Sequence, residues 1–439
     1  MSTRLRERLA VGSCVVMGLA ISTGHPIGMV AATGMPFACL TPGTKRAASK
    51  AAVGYYLAAL WPMVIGLERY VGRSTPFLTP VAIWVLGGVV LSIPWVLAAT
   101  ADRLQYVWRA PLALAATVIP PLGIIGLASP LTAAGFLYPG TGWIGLATVA
   151  LMPGIILGAH ALPIRQRRIA WCVVIPLCVG LATGPRVLGS RNTEPPRGWV
   201  AVNTHFGDVS QPFQDFVAAQ FIQDTAAKIP ARVVIFPESV VPRWSEATEA
   251  FWLQSLGRCR AHGQILAFGA GLPRPGQDNI ATLRDLGRYD FAAAIDALKS
   301  RDIPVHSALG TPTPEPIDNA LVLAGAESAT YYQRLPVPIG MWQPLSRTSV
   351  PLRLSAPGVL EIDRQRAAVL ICYEQMLTFP MLSSMLRELS GRLRTSAWQV
   401  RFVCCCGAFS ARIRRADPCG IPGRSRSDRT TGEAPSLVS

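Results

Sequence analysis

Two stretches of this sequence carry an apolar, strand-like run straight into a group that could react. Val233-Val-Ile-Phe-Pro ends at Glu238, and Ala367-Ala-Val-Leu-Ile ends at Cys372, with Glu374 two residues on. A thiol held at the end of a rigid strand is placed as a nucleophile. A carboxylate in the partly desolvated setting of a strand end is placed as a general base, able to take the thiol proton and later return it to a leaving group. Each stretch alone has a plainer use. Pro237-Glu238 puts an acid at the start of a helix, where the helix dipole favours it. Ile371-Cys372 buries a small thiol, the ordinary fate of a cysteine.

The elements that must hold these groups are legible around them. Trp199-Val-Ala-Val-Asn begins a strand after the Pro-rich linker at 194–197, and Phe213–Ile229 reads as an amphipathic helix with Phe216, Ala219, Phe221 and Ile222 on its apolar side. A helix is expected over Glu246–His262 and strands over Gln264–Gly271, from Asp318, and from about Ser328. A hairpin-like pair follows at Gly358–Arg364 and Ala367–Cys372. Strands alternating with helices define an α/β layer fold. The Pro-, Asp- and Arg-rich stretch Pro273–Pro316, with a helix expected at Phe291–Ser300, reads as an insertion.

The first 190 residues are of another kind. The chain is 50% hydrophobic and 15% charged, against ~25% charged in ordinary soluble domains. The apolar excess lies before residue 187. Runs near the ~20 residues needed to cross a bilayer occupy Ala52–Val71, Phe77–Thr100, Ala110–Tyr138 (trimmed by its prolines), Thr141–Leu162 and Ile169–Gly184, and Leu9–Leu40 reads as a hairpin turning at His25-Pro26, either of two short helices or re-entrant. About six or seven spans are expected. Basic residues at Arg4, Arg6 and Arg8, at Lys45, Arg46 and Lys50, at Arg103 and Arg109, and at Arg165, Arg167 and Arg168 then fall on one side, with Arg69 and Arg73 the exception. By the positive-inside rule this delivers everything after the last span to the outer face, whereas a single span over 9–40 would invert the orientation and place Lys45, Arg46 and Lys50 outside. The net charge of +16 is accounted for by orientation rather than by nucleic acid, for which no interleaved basic and aromatic face is present. Ten cysteines occur without C-x-x-C spacing, so neither a metal nor a cofactor is expected.

Taken in order, Phe236-Pro-Glu238-Ser, Asp318-Asn-Ala-Leu-Val-Leu, Tyr332-Gln-Arg-Leu-Pro-Val-Pro-Ile-Gly340 and Ile371-Cys372-Tyr-Glu374 resemble the carbon–nitrogen hydrolase (nitrilase) superfamily. The helical region ahead of them narrows the resemblance to apolipoprotein N-acyltransferase, and Val-Pro-Ile-Gly-Met-Trp-Gln-Pro leans it toward the conjugal transfer protein TraB branch. The resemblance covers most of residues 1–385. It implies an αββα sandwich on the periplasmic face of a bacterial inner membrane. It also implies Glu238 as base, Cys372 as a thioester-forming nucleophile, Glu374 as a second acid near the site, and Asn319 as support. A membrane phospholipid would donate the acyl group, and a lipoprotein or a conjugation-system protein would be acceptor or partner.

Two departures set a second reading beside the first. The family's oxyanion-stabilising lysine is here Gln333, which carries no charge, and the acid expected after the Pro-x-Gly turn is Met341. Beyond about residue 386 the chain turns Arg- and Cys-rich, with Cys404-Cys-Cys406, no asparagine and no further core pattern. The domains therefore read as 1–190 (membrane helices), 197–386 (hydrolase-like, incomplete at its C-terminus) and 387–439 (a disordered or frameshifted tail). The second reading is a catalytically inactive hydrolase-like membrane protein serving conjugal transfer or envelope assembly.

Overall fold

The computed structural model describes residues 2–71, 78–187, 197–204, 214–244, 246–274, 317–343, 349–392 and 401–404. The insertion expected at Pro273–Pro316 and most of the tail lie outside them.

The N-terminal region is helical. Helix α1 (Thr3–Ser22) stops before Gly24, and α2 (Pro26–Ala32) begins with Pro at its first position and His25 Nδ1 accepting from the Ile27 amide at 3.2 Å. The Leu9–Leu40 run is thus broken where His25-Pro26 breaks it, and continues as the short α3 (Met35–Leu40). Helix α4 (Lys45–Leu60) presents Ala47, Ala48, Ala51, Ala52 and Ala59 inward, and these small side chains let it pack closely on α1. Gly18 is required there, because a Cβ would lie 2.3 Å from the Tyr55 carbonyl oxygen. Next come α5 (Pro62–Val71) and α6 (Leu78–Ala98). The run Ala110–Tyr138 is no single helix. α7 (Tyr106–Val118) ends before Pro120-Pro121, which lack the amide donors to carry it on, and short 3-10 turns at Leu122–Ile124 and Pro130–Ala133 lead into α8 (Ala134–Leu137). Helices α9 (Trp143–Ala159) and α10 (Ile164–Val187) complete the region.

Among the described residues two helices are long and apolar enough to cross a membrane, α6 and the segment Ile164–Gly184 of α10. The pair α4–α5, bent by 46°, makes a third if it crosses as one span. Fewer full-length helices result than the apolar runs suggest, because prolines and glycines divide those runs.

A mixed α/β region follows. Strands β1 (Trp199–Ala201), β2 (Val233–Ile235), β3 (Ile265–Pro273), β4 (Ile317–Gly325) and β5 (Ala329–Tyr332) form one sheet in that order. The pairs β1–β2 and β2–β3 are parallel, and β3–β4 and β4–β5 antiparallel. Helices α11 (Gln214–Lys228) and α12 (Glu246–Ala261) cover one face of this sheet. Ile222, Trp252 and Leu256 meet Val234, Phe236, Leu266 and Phe268 there. Phe221, expected on the apolar side of α11, is exposed, whereas Ala219 and Ile222 face inward.

The second sheet contains β6 (Val359–Ile362), β7 (Gln365–Leu370) and β8 (Arg401–Cys404), with β8 parallel to β7. Its Ile362, Ala367, Val369 and Ile371 pack against Val233, Ile265, Ala267, Leu321 and Leu323 of the first sheet. Alternation along each strand puts one set of side chains into this inter-sheet core. Helix α13 (Thr378–Arg392) lies along β6 and β7, and its end and β8 lie past residue 386.

Candidate functional site

Glu238 lies three residues beyond β2, in a turn that crosses the next strand closely. The Gly269 amide donates to the Pro237 carbonyl at 3.1 Å, and the Val241 amide to the Gly269 carbonyl at 3.2 Å. A Cβ on Gly269 would lie 2.5 Å from the Glu238 Cα, so only glycine allows the turn to sit there. Ser239 takes a left-handed φ of 56°, uncommon for a residue with a Cβ.

Cys372 leaves β7 in the same manner. It opens a 3-10 turn, Cys372–Met376, at a φ of 48°, and is half-buried. A non-glycine residue in this region persists only where its surroundings fix it. They do so through Glu374, which is fully buried. Its carboxylate accepts from the amides of Ile371 (3.1 Å), Arg334 (2.5 Å) and Leu335 (2.9 Å), and at 3.4 Å from the Tyr331 hydroxyl. Arg334 Nε stands 3.8 Å away, an ion contact beyond hydrogen-bond length. Burial pushes the Glu374 carboxyl up from its ordinary range, against the opposing pull of Arg334 and the three amides. That geometry makes Glu374 a strut between the turn after β7 and the segment after β5.

Asn319 and Gln333 connect the turns after β2 and β7. Asn319 Nδ2 donates to Glu238 Oε1 at 2.5 Å and to Gln333 Oε1 at 3.3 Å. Gln333 Nε2 donates in turn to the Ile371 carbonyl and the Leu335 carbonyl, each at 3.3 Å. A chain of side-chain amides therefore runs from Glu238 to the residue before Cys372. The four motif segments converge at one end of the sheets. Gln333 is fully buried. Both its donor hydrogens point at backbone carbonyls and its oxygen receives Asn319, which leaves no N–H for a substrate oxyanion.

Arg334, the next residue, is also buried but faces elsewhere. It reaches Ser383 Oγ at 2.8 Å and the Pro380 carbonyl at 3.1 Å, tying the segment to α13. Successive residues leaving a strand point to opposite faces, so Arg334 and Gln333 face opposite ways.

Tyr373 was not singled out by its sequence. Its hydroxyl donates to the Ile124 carbonyl of the helical region at 2.8 Å. With Leu335, Leu377 and Phe379 it packs into the core of that region, and burial pushes its hydroxyl pKa up. The residue beside Cys372 is thus the point where the α/β region is fastened to the helices. Among the described residues no three His, Cys, Asp or Glu side chains cluster as a metal site.

Fold and site together define a protein with apolar helices of membrane-crossing length followed by a mixed α/β region that gathers a carboxylate, two amides and a cysteine-bearing turn. No protein-family model matches the chain. It shows distant homology to conjugal transfer protein TraB. The chain is 27% identical over 406 residues to the "Probable conjugal transfer protein TraB" of Sinorhizobium fredii, covering 88% of each chain. It is 25% identical over 418 residues to the conjugal transfer protein TraB of Agrobacterium fabrum, covering 87% of this chain and 83% of that one.

Proposed function

We propose that this is a multi-pass inner-membrane protein of conjugal transfer whose nitrilase-like α/β domain, an αββα sandwich, faces the periplasm and uses Cys372 for acyl transfer. The observation that carries the reading is the hydrogen-bonded line Glu238–Asn319–Gln333–Ile371 carbonyl, which ends at a cysteine held in a left-handed conformation. Glu238 takes the thiol proton, and the Cys372 sulfur attacks the acyl carbonyl of a phospholipid ester. The ester C–O bond breaks, and the leaving alcohol departs with the proton from Glu238. An amine of a lipoprotein or a conjugation-system protein then attacks the thioester, forming an amide and releasing the thiol. Apolar helices beside the site suit a lipid donor. Similarity to TraB proteins supports the conjugal role.

A second reading has its own observation. Gln333 stands where the resemblance places a lysine, and its amide is fully committed to protein partners. Loss of one preorganised oxyanion donor lowers rate by ~10²–10³. On this reading the domain is a catalytically inactive scaffold within the transfer apparatus.

Plasmid transfer frequency separates the two. In donors lacking the gene, wild type restores transfer. On the first reading Cys372→Ala does not restore it although the protein accumulates in the membrane. Full restoration by Cys372→Ala refutes the acyl-transfer reading, and unchanged transfer in donors without the gene refutes both.

A further inference from the structure

At the other end of β2 and β3 from Glu238, a cavity of about 580 Å³ opens between α11 and α12, within the size range of small-molecule sites. Its rim carries Lys228, Arg232, Arg258 and His262, and its lining contains no Asp or Glu. Helix C-termini attract cations, and α11 and α12 both end here, which accounts for some of that charge. It does not account for Gln223. This side chain lines the cavity and is nine-tenths buried, with Oε1 accepting from Ser255 Oγ at 2.5 Å, yet Nε2 is buried with no partner among the described residues. A buried amide donor without an acceptor calls for one. Arg258 Nη2 bonds the same Ser255 Oγ at 3.0 Å, so a guanidinium is drawn toward the orphan donor. Arg232 is held at the rim by Asp363 at 3.0 Å. Gln264, which closes the floor, directs its Nε2 to the Ala226, Ile229 and Ala231 carbonyls, so these three acceptors are already engaged.

We propose that this cleft binds an oxyanion, the phosphate or carboxylate of a small molecule, with Gln223 Nε2 and Arg258 as its donors. The site is separate from the Cys372 turn and stands whether or not that turn is catalytic.

The test is titration of the full-length protein in detergent with inorganic phosphate, by calorimetry or phosphorus NMR. Gln223→Glu keeps the acceptor for Ser255 and replaces the orphan donor with a repelling oxygen, so it should weaken binding at least ~10-fold. Arg258→Ala should weaken it likewise, and Arg258→Lys should recover part of the loss. Wild-type-like circular dichroism and melting confirm folding of each variant, and the Arg258 pair decides the question if Gln223→Glu does not fold. No phosphate binding overturns the proposal. Equal affinity in wild type and all variants means an adventitious ion only and overturns it as well. Displacement by phosphatidylglycerol nanodiscs but not by glycerol phosphate assigns a lipid headgroup. The reverse assigns a soluble ester, and both uphold the site.

Discussion

The turn after β2 and the turn after β7 are built alike and used differently. Both leave a buried strand, both contain a non-glycine residue at positive φ (Ser239 and Cys372), and both carry an acid. Glu374 is fully buried and faces three backbone amides, a hydroxyl and an arginine. Glu238 is half-buried and receives the Asn319 amide. What faces an acid, more than its position after a strand, decides how far it is committed to holding the fold. The first turn leaves its carboxylate half-buried beside an amide, and the second buries its carboxylate as the strut that fixes the cysteine-bearing turn.

Removing the strut breaks this comparison most severely. Glu374→Ala leaves three amides buried without an acceptor and the buried Arg334 without its counter-charge, and should destabilise the protein by about 3–5 kcal/mol, measured by denaturant unfolding in detergent. Glu374→Gln is milder and exposes a pH dependence. Because burial raises the Glu374 pKa in the folded state, the folded protein binds this proton more tightly than the unfolded chain does. The stability Glu374 contributes is therefore full at low pH and declines as pH rises through the raised value. The wild type should lose stability relative to Glu374→Gln as pH rises above the ordinary carboxylate range toward the raised folded-state value, read from paired unfolding curves.

Cutting the link between the turns comes next. Asn319→Ala removes the amide donor to Glu238 and to Gln333 Oε1, with an expected loss of about 1–3 kcal/mol in the same assay. Gln333→Lys sharpens the comparison in the other direction. It removes the acceptor used by Asn319 but brings a cation toward Cys372, and a drop of one unit in the thiol pKa would speed alkylation by iodoacetamide about tenfold at neutral pH. An unchanged labelling rate would show that position 333 does not act on the cysteine. The smallest effect belongs to Tyr373→Phe, which deletes one hydrogen bond to Ile124. About 0.5–1.5 kcal/mol is expected from thermal unfolding of the whole chain.

The ends of the site were legible because apolar strand runs stop visibly at Glu238 and Cys372, and the α/β order followed from alternating patterns at 199–271 and 318–372. The middle was hidden. Nothing local marks Gln333 as saturated, since its acceptors are the carbonyls of Leu335 and of Ile371, a residue 38 positions away. Asn319 read as a strand residue that supports structure, and its double donation appears only once β2, β4 and β5 are aligned. Tyr373 carried no signal, because its partner is a backbone carbonyl 249 positions earlier. In the helical region, composition showed the apolar runs but not their division. His25-Pro26 marked one break, whereas the loss of helix after Val118 depends on how the chain turns at Pro120-Pro121.

The most direct test is the intact mass of the purified protein after incubation with phospholipid. An acyl adduct on Cys372 that hydroxylamine removes, and that is absent from Cys372→Ala, is the result predicted for a thiol aimed by the Glu374 strut and served by Glu238. No adduct on the wild type, alongside an acylated active control, would contradict it and leave the domain as a scaffold.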